Sequence, residues 1–438
     1  MRHNKEEFMR TMKRVAAVAL SVVVLMTSGV SAKAAVTDVQ PAKSSSEAVL
    51  KWAKKVGEPF DEKTYANNTV SKIKLVGNHL YVADDAKHRI MKIDKKDGTI
   101  LKEQKYCDES YIQGYVSSIG YGDGKVYVGY DNGRVQAFDE NTLESLWITD
   151  ENKNAINSDF VFTNGKLYFG TTAKTTDWYD NGAPFSYYVV TTSDDDKTKP
   201  DEEKTMKKVV ESKTGKFYLK KGVVLGKYIV ISDTAGTLTM IDTTNDKVTD
   251  TKDIGEAFSG NITYDEMTGT IYFVAGTNDL YGIKVSADGK LKDEKKVRLY
   301  ETGYSSTTPE VYNGKVYVSG SKGKAFQDKG YMAVADVSSG KYKVNYTVEL
   351  SNYSQCEPTI VKTGENSVRV YFTINDEPGG IYAIEDSKDA TSATLETVYE
   401  PTGDIKNTGC MSDVVVDEDG TIYFANDSKY IMLSLIHI

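Results

Sequence analysis

One phrase recurs along this chain: a turn containing glycine, an alternating strand centred on tyrosine or phenylalanine, a polar loop, and a second strand ending in Ile-Asp or a similar pair. It appears eight times, opening at Gly77, Gly124, Gly165, Gly226, Gly269, Gly314, Ser367 and Gly420. The equivalent central positions are Tyr81, Tyr127, Tyr168, Ile229, Tyr272, Tyr317, Tyr371 and Tyr423, with spacings of 46, 41, 61, 43, 45, 54 and 52 residues. A period of roughly 40–50 residues with several short strands per unit is the mark of propeller blades, since a single small sheet cannot bury its own faces and must stack on neighbours around an axis. No sustained helical period follows the N-terminal apolar run. A length of 438 residues, which otherwise suggests two or three domains, therefore fits one ring. The expected fold is all-β: an eight-bladed β-propeller of four-stranded antiparallel blades over residues 50–433. The 61-residue spacing marks an insertion in the third blade, and its charged stretch, residues 194–208, reads as a solvated loop.

A ring must close or leave an exposed sheet edge. Residues 50–56 precede the first full repeat and look like an outer strand lacking the rest of its blade, while the eighth repeat lacks its fourth strand. The last blade is thus expected to be incomplete and closed by the N-terminal strand, with Trp52 beside residues 421–432.

The ends read differently from the repeats. Residues 1–34 have a basic start (Arg2, Lys5, Arg10, Lys13, Arg14), an apolar run from Val15 to Met26 and small residues ending Ala32-Lys33-Ala34, the pattern of a cleaved secretory signal peptide. Residues 35–49 are a linker. The repeat calls for more strand where the chain reaches residues 434–438, which read as a doubtful tail, the spurious end of a truncated frame. Cleavage after Ala34 leaves 48 basic against 61 acidic residues, a formal charge of −13. That balance excludes nucleic acid as a partner, and the mature sequence contains no membrane span. The expected location is secreted or cell-surface.

Several pieces carry a family resemblance: Gly124-Lys-Val-Tyr-Val-Gly129, Ile381-Tyr-Ala-Ile384, Val135-Gln-Ala-Phe-Asp139 and the outer-strand pair Leu146-Trp147. The chain resembles the quinoprotein-like (pyrroloquinoline-quinone-type repeat) β-propellers over nearly all of its mature length. The resemblance implies the fold. It leaves function open, because such repeats occur in cofactor-bearing dehydrogenases and in noncatalytic binding or scaffold proteins. Quinone-dependent members are similar to one another in adjacent cysteines by the cofactor, a calcium site of neighbouring acids and haem-binding C-x-x-C-H. Here Cys107, Cys356 and Cys410 are neither adjacent nor in such a motif. The expectation is the noncatalytic branch, with no cofactor and no metal.

Other chemistry finds little material. Only His79 and His88 lie within the repeats, too few for zinc or for most histidine-assisted nucleophiles. Paired-carboxylate hydrolysis needs no histidine and stays open. Gly120-Tyr-Gly-Asp-Gly124 resembles a phosphate loop, but no helix follows and a hairpin through Asp123-Gly124 is expected. Asp417-Glu-Asp-Gly420 resembles a calcium loop, but Ser428 stands where the bidentate glutamate belongs, so a turn is expected there too. Aligning Thr307-Thr-Pro-Glu-Val311 with the segments starting at Cys356 and Cys410 puts the two cysteines at equivalent positions of neighbouring innermost strands. In an exported protein they could pair as a disulfide or remain buried thiols.

Strand parity places the between-blade links and the loops joining strands two and three on one face. The candidate ligand-binding residues there are Tyr111, Tyr115, Tyr304 and Tyr353 in links, and Trp178 and Tyr179 in the third-blade loop. Flat rings with polar tips beside serines suit a glycan, peptide or protein partner at the cell envelope. The expected function is an exported noncatalytic binding or scaffold propeller. The alternative is a propeller enzyme, a carboxylate-based hydrolase or lyase acting on a cell-surface polymer; a carboxylate pair in the channel mouth would favour it.

Overall fold

The computed structural model describes residues 47–56, 70–107, 112, 119–174, 182–193, 202–218, 220–323, 328–407, 409–410 and 412–435. They form eight sheets in a ring, each built outward from an innermost strand around an antiparallel core, with a fifth strand added in blades two and three. The blades are identified by their second strands: His79–Asp84, Lys125–Gly129, Lys166–Thr172, Tyr228–Ser232, Thr270–Ala275, Lys315–Ser321, Ser367–Thr373 and Ile422–Ala425, for blades one to eight. These strands read as near-continuous apolar runs because both of their faces are covered by neighbouring blades. The recurring aromatic position is buried in every copy, no more than 2% exposed from Tyr81 to Tyr423.

Blade eight supplies only three strands from its own repeat. Its fourth is Val49–Lys55, antiparallel to Tyr430–Leu435, with Ala53 opposite Met432 and Trp52 opposite Leu433. The expected seam is therefore present, and Trp52 fastens it to blade one as well: its indole N–H donates to the Lys95 carbonyl at 3.3 Å. The ring lies on the Asp94–Thr99 turn, where a Cβ on Gly98 would sit 2.8 Å from the indole. Glycine is needed there twice over, since its φ is also +73°.

Neighbouring blades are stapled by a device hidden in the repeat itself. In Lys166-Leu-Tyr168 of blade three, Lys166 Nζ and Tyr168 Oη both donate to Asp246 of blade four, at 2.7 and 2.6 Å. In Lys315-Val-Tyr317 of blade six, both reach Asp386 of blade seven, at 2.9 and 2.7 Å, and Tyr346 also donates to that carboxylate. Alternation explains the spacing: residues i and i+2 of a strand share a face. Tyr81 uses the same reach toward the Glu140 carbonyl of blade two, at 2.6 Å.

Both glycine-rich strings are turns. Asp123 and Gly124 join Gly120–Gly122 to Lys125–Gly129 with φ of +56° and +66°, the paired positive values of a two-residue hairpin. Asp417 closes a turn through the Gly420 N–H and takes an ammonium from Lys95 at 2.6 Å. The third-blade insertion departs from its expected loop. Glu202–Lys204 adds to blade two as a parallel fifth strand on Ser145–Thr149, and Lys207–Ser212 is the outer strand of blade three. The outer edge of blade two offers unpaired backbone groups, and the insertion satisfies them.

Two stability tests follow from these contacts. Trp52→Ala should cost about 3 kcal/mol in denaturant unfolding, the upper end being softened by the ring's partial exposure. Asp386→Ala should cost about 3–5 kcal/mol because it strands Lys315, whose side chain is only 9% exposed; the double variant Lys315→Met/Asp386→Leu should recover most of that loss.

Candidate functional site: the axial charged channel

The register of each innermost strand tells which side chains meet at the axis. Opposite the recurring aromatic position stand Lys74, Gly120, Val161, Val224, Thr263, Glu310, Thr359 and Val415. Two residues earlier, on the same strand face, come Lys72, Asp159, Asn261, Thr308, Glu357 and Asp413 in blades one, three, five, six, seven and eight. Blade four has Gly222 there, and Lys221 beside it supplies the charge.

These residues converge. Lys221 of blade four pairs with Glu357 of blade seven at 3.2 Å, a bond between blades three steps apart that has to cross the channel. Lys72 of blade one pairs with Asp413 of blade eight at 2.7 Å. The Glu357 N–H donates to the other Asp413 oxygen at 2.8 Å, and the Lys221 N–H donates to Asn261 at 2.9 Å. Glu310 lies within hydrogen-bonding reach of Glu357. The pairs keep about a fifth to a quarter of their side-chain surface, 22% and 19% for Lys221 and Glu357, so the passage is narrow and polar rather than dry.

Charge follows from this geometry. Burial works to discharge Lys72, but Asp413, Asp159 and Glu357 outweigh it and hold the ammonium above its ordinary value. Glu357 raises Lys221 against its burial, and Lys221 in turn holds the Glu357 carboxyl well below the usual range despite burial. Two groups move the other way. Burial raises Asp159, and burial together with the Lys221 charge lowers Lys74. The neighbouring Lys220 turns away from the channel: its ammonium donates to the Phe258 and Gly260 carbonyls at 3.1 and 2.6 Å, and burial brings it down to about 7.

Of the tyrosines and tryptophan singled out from sequence, two fall among the described residues. Tyr111, Tyr115, Trp178 and Tyr179 lie outside the described residues. Tyr304 and Tyr353 occupy the links into blades six and seven. Tyr304 is half-buried and its backbone forms a bridge with Ser321. Tyr353 is 8% exposed, with its hydroxyl accepting from Asn375. Ser306 and Gln355 of the same links are joined at 3.1 Å. Cys356 and Cys410 are buried free thiols. They are not equivalent positions. Cys356 Sγ accepts the Thr373 N–H at 3.1 Å, and in blade eight the same place is held by Ser412, whose hydroxyl accepts the Ala425 N–H at 3.1 Å. Ser71 and Ser158 do likewise for Ala83 and Gly170. This anchor admits a small side chain with a lone pair, whether oxygen or sulfur. Cys410 lies two residues upstream and donates to the Ala425 carbonyl at 3.5 Å. Sequence reasoning missed the axial charges because lysine and aspartate in short strands read as solvent-facing.

Among the described residues, no group of three or more histidine, cysteine, aspartate or glutamate side chains could hold a metal ion, and no helix is long and apolar enough to cross a membrane.

No protein-family model matches the sequence, and no characterised protein matches it in sequence. Solved structures do match in fold. BamB from Moraxella catarrhalis is 11% identical, with a TM-score of 0.58 over 89% of this chain and 100% of that one. The quinohemoprotein alcohol dehydrogenase of Comamonas testosteroni is 9% identical, with a TM-score of 0.63 over 90% of this chain and 78% of that one. A computationally designed protein, Ika8, is 11% identical, with a TM-score of 0.54 over 84% of this chain. At such identities the likeness establishes the fold alone. The residues present do not fit a quinone site of the kind the family resemblance implies: Cys356 and Cys410 belong to different blades and are spent on backbone contacts, and Glu357 and Asp413 are tied to lysines.

The cross-channel pair has a pH signature. A carboxyl depressed on folding stabilises above its unfolded value, near 4.3, and loses that contribution as pH falls toward its folded value. Glu357→Gln should therefore lower stability at pH 6, and its deficit relative to the native protein should shrink steadily below about pH 4, as read by denaturant midpoints across that range.

Proposed function

We propose that the chain is an exported, noncatalytic binding or scaffold propeller, and that its link face receives a glycan, peptide or protein partner at the cell envelope. The observation that carries this reading is the state of the axis. General acid–base work needs a group able to exchange a proton near the working pH. Glu357 and Asp413 are instead committed to Lys221 and Lys72, with Glu357 pushed below and both lysines above their ordinary ranges. The passage is filled by the protein's own counterions, which leaves the surrounding links as the accessible surface.

One arrangement favours the other reading, a carboxylate-based hydrolase or lyase. Glu310 lies within hydrogen-bonding reach of Glu357, and burial raises Asp159 above its ordinary value. Against it, glycosidase carboxylates stand about 5–10 Å apart to admit the sugar, wider than hydrogen-bonding reach.

The test is an incubation of the purified protein with cell-wall polysaccharide and peptide fragments, followed both by pull-down and by mass spectrometry of released products. Retention of one polymer class without cleavage is the expected result. Product release abolished by Glu310→Gln or Asp159→Asn would establish the enzyme in its place.

A further inference from the structure

On the hairpin face, opposite the links, the third-blade insertion borders a cavity. The chain leaves blade three at Thr191, pairs with blade two through Glu202–Lys204, and returns at Lys207. Between that strand and blade three lies a cavity of about 330 Å³, within the span of small-ligand sites. Val189, Val190 and Thr191 line one side of it, and Lys166, Lys204, Lys207, Thr205, Glu203 and Asp246 complete the lining.

Its charge is uneven. Asp246 is shared by two ammonium groups, Lys166 at 2.7 Å and Lys207 at 2.9 Å, and also accepts from Tyr168. Glu203 is drawn to Arg134 at 2.8 Å. Lys204 stands over the Trp147 ring, 5.2 Å from its centroid, and donates to the Ser193 carbonyl rather than to a carboxylate. Burial works to raise Asp246, yet the hydrogen bonds from Lys166, Tyr168 and Lys207 outweigh it and keep it charged, so the two lysines are held in place before any ligand arrives. An acidic protein thus carries a local excess of oriented positive charge, with the Thr191 and Thr205 hydroxyls beside it.

We propose that this cavity is a phosphoryl-binding site, taking inorganic phosphate or the phosphate group of a small ester on Lys204 and Lys207, with Lys166 as the fixed ammonium behind them. Lysine serves phosphate as a point charge, and with Glu203 taken up by Arg134, three ammoniums against the shared Asp246 carboxylate leave room for an anion. The site is independent of the link face and does not rest on the reading given for it.

Calorimetric titration of the full protein with inorganic phosphate tests the proposal, with chloride and acetate at matched ionic strength as controls. A saturable isotherm with phosphate alone is expected, accompanied by a change in tryptophan emission as Lys204 shifts from Trp147. Lys204→Gln and Lys207→Gln should each weaken binding about tenfold or more. Lys207 is 60% exposed, so its loss leaves the fold intact, which an unchanged melting temperature confirms. Lys295→Gln, on blade five, should bind as the native protein does. The proposal is overturned if phosphate gives no saturable heat at millimolar concentration, if acetate matches it, or if Lys295→Gln weakens binding as much as Lys207→Gln.

Discussion

A ring of sheets depends on its seam. Seven junctions in this molecule are formed between blades consecutive in the chain, where covalent connection keeps the partners close. The eighth must join residues near 50 to residues near 430, and it adds backbone pairing inside blade eight to the packing of blades eight and one on each other. That choice distributes closure over a ladder of hydrogen bonds and removes an edge strand at the same time. Trp52 extends the seam by one blade, because its indole engages the Lys95 turn and needs Gly98 bare beneath it. The other junctions depend on side chains, and the Lys-x-Tyr staple to a neighbouring aspartate shows how a repeated phrase becomes a repeated contact.

Once the ring is closed, its axis becomes a problem of charge. Among the described residues, seven innermost strands bring side chains to a narrow polar passage, and like charges gathered there would oppose closure. The sequence solves this with lysines on blades one and four facing acids on blades three, six, seven and eight. Lys221 and Glu357 span the passage, so the charge of each is held by a group from the far side of the ring. Desolvation is partial, which keeps such pairs from becoming a net liability. The same arrangement underlies the function proposed above, because side chains neutralised by each other are poorly placed to exchange a proton with a substrate.

Much of the architecture was legible in the amino-acid sequence. The opening turn and the buried central residue, aromatic in seven of the eight copies, marked blade number, and the surplus N-terminal strand announced the closure, because these signals are local and repeat in register. The candidate sites were less so. Strand parity assigns the aromatic link positions to one face, but it does not say which rings are free, and the Tyr353 hydroxyl accepts a hydrogen bond from Asn375. The cysteine alignment slipped by two residues, since serine and cysteine fill the same anchor and only the ladder register separates Cys410 from Ser412.

The chain by itself determined what depends on short-range pattern: strands of alternating burial, tight turns at Asp123-Gly124 and its counterparts, and eight units spaced 41 to 61 residues apart. Only the tertiary structure decided which charges meet. Lys72 and Asp413 are separated by most of the chain, and Lys221 and Glu357 by 136 residues. No local pattern encodes such a pairing; it exists because the ring brings strand positions with the same register to a common axis. The insertion follows the same logic, for its composition said only that it was charged, and the open edge of blade two turned part of it into a strand that borders an open cavity.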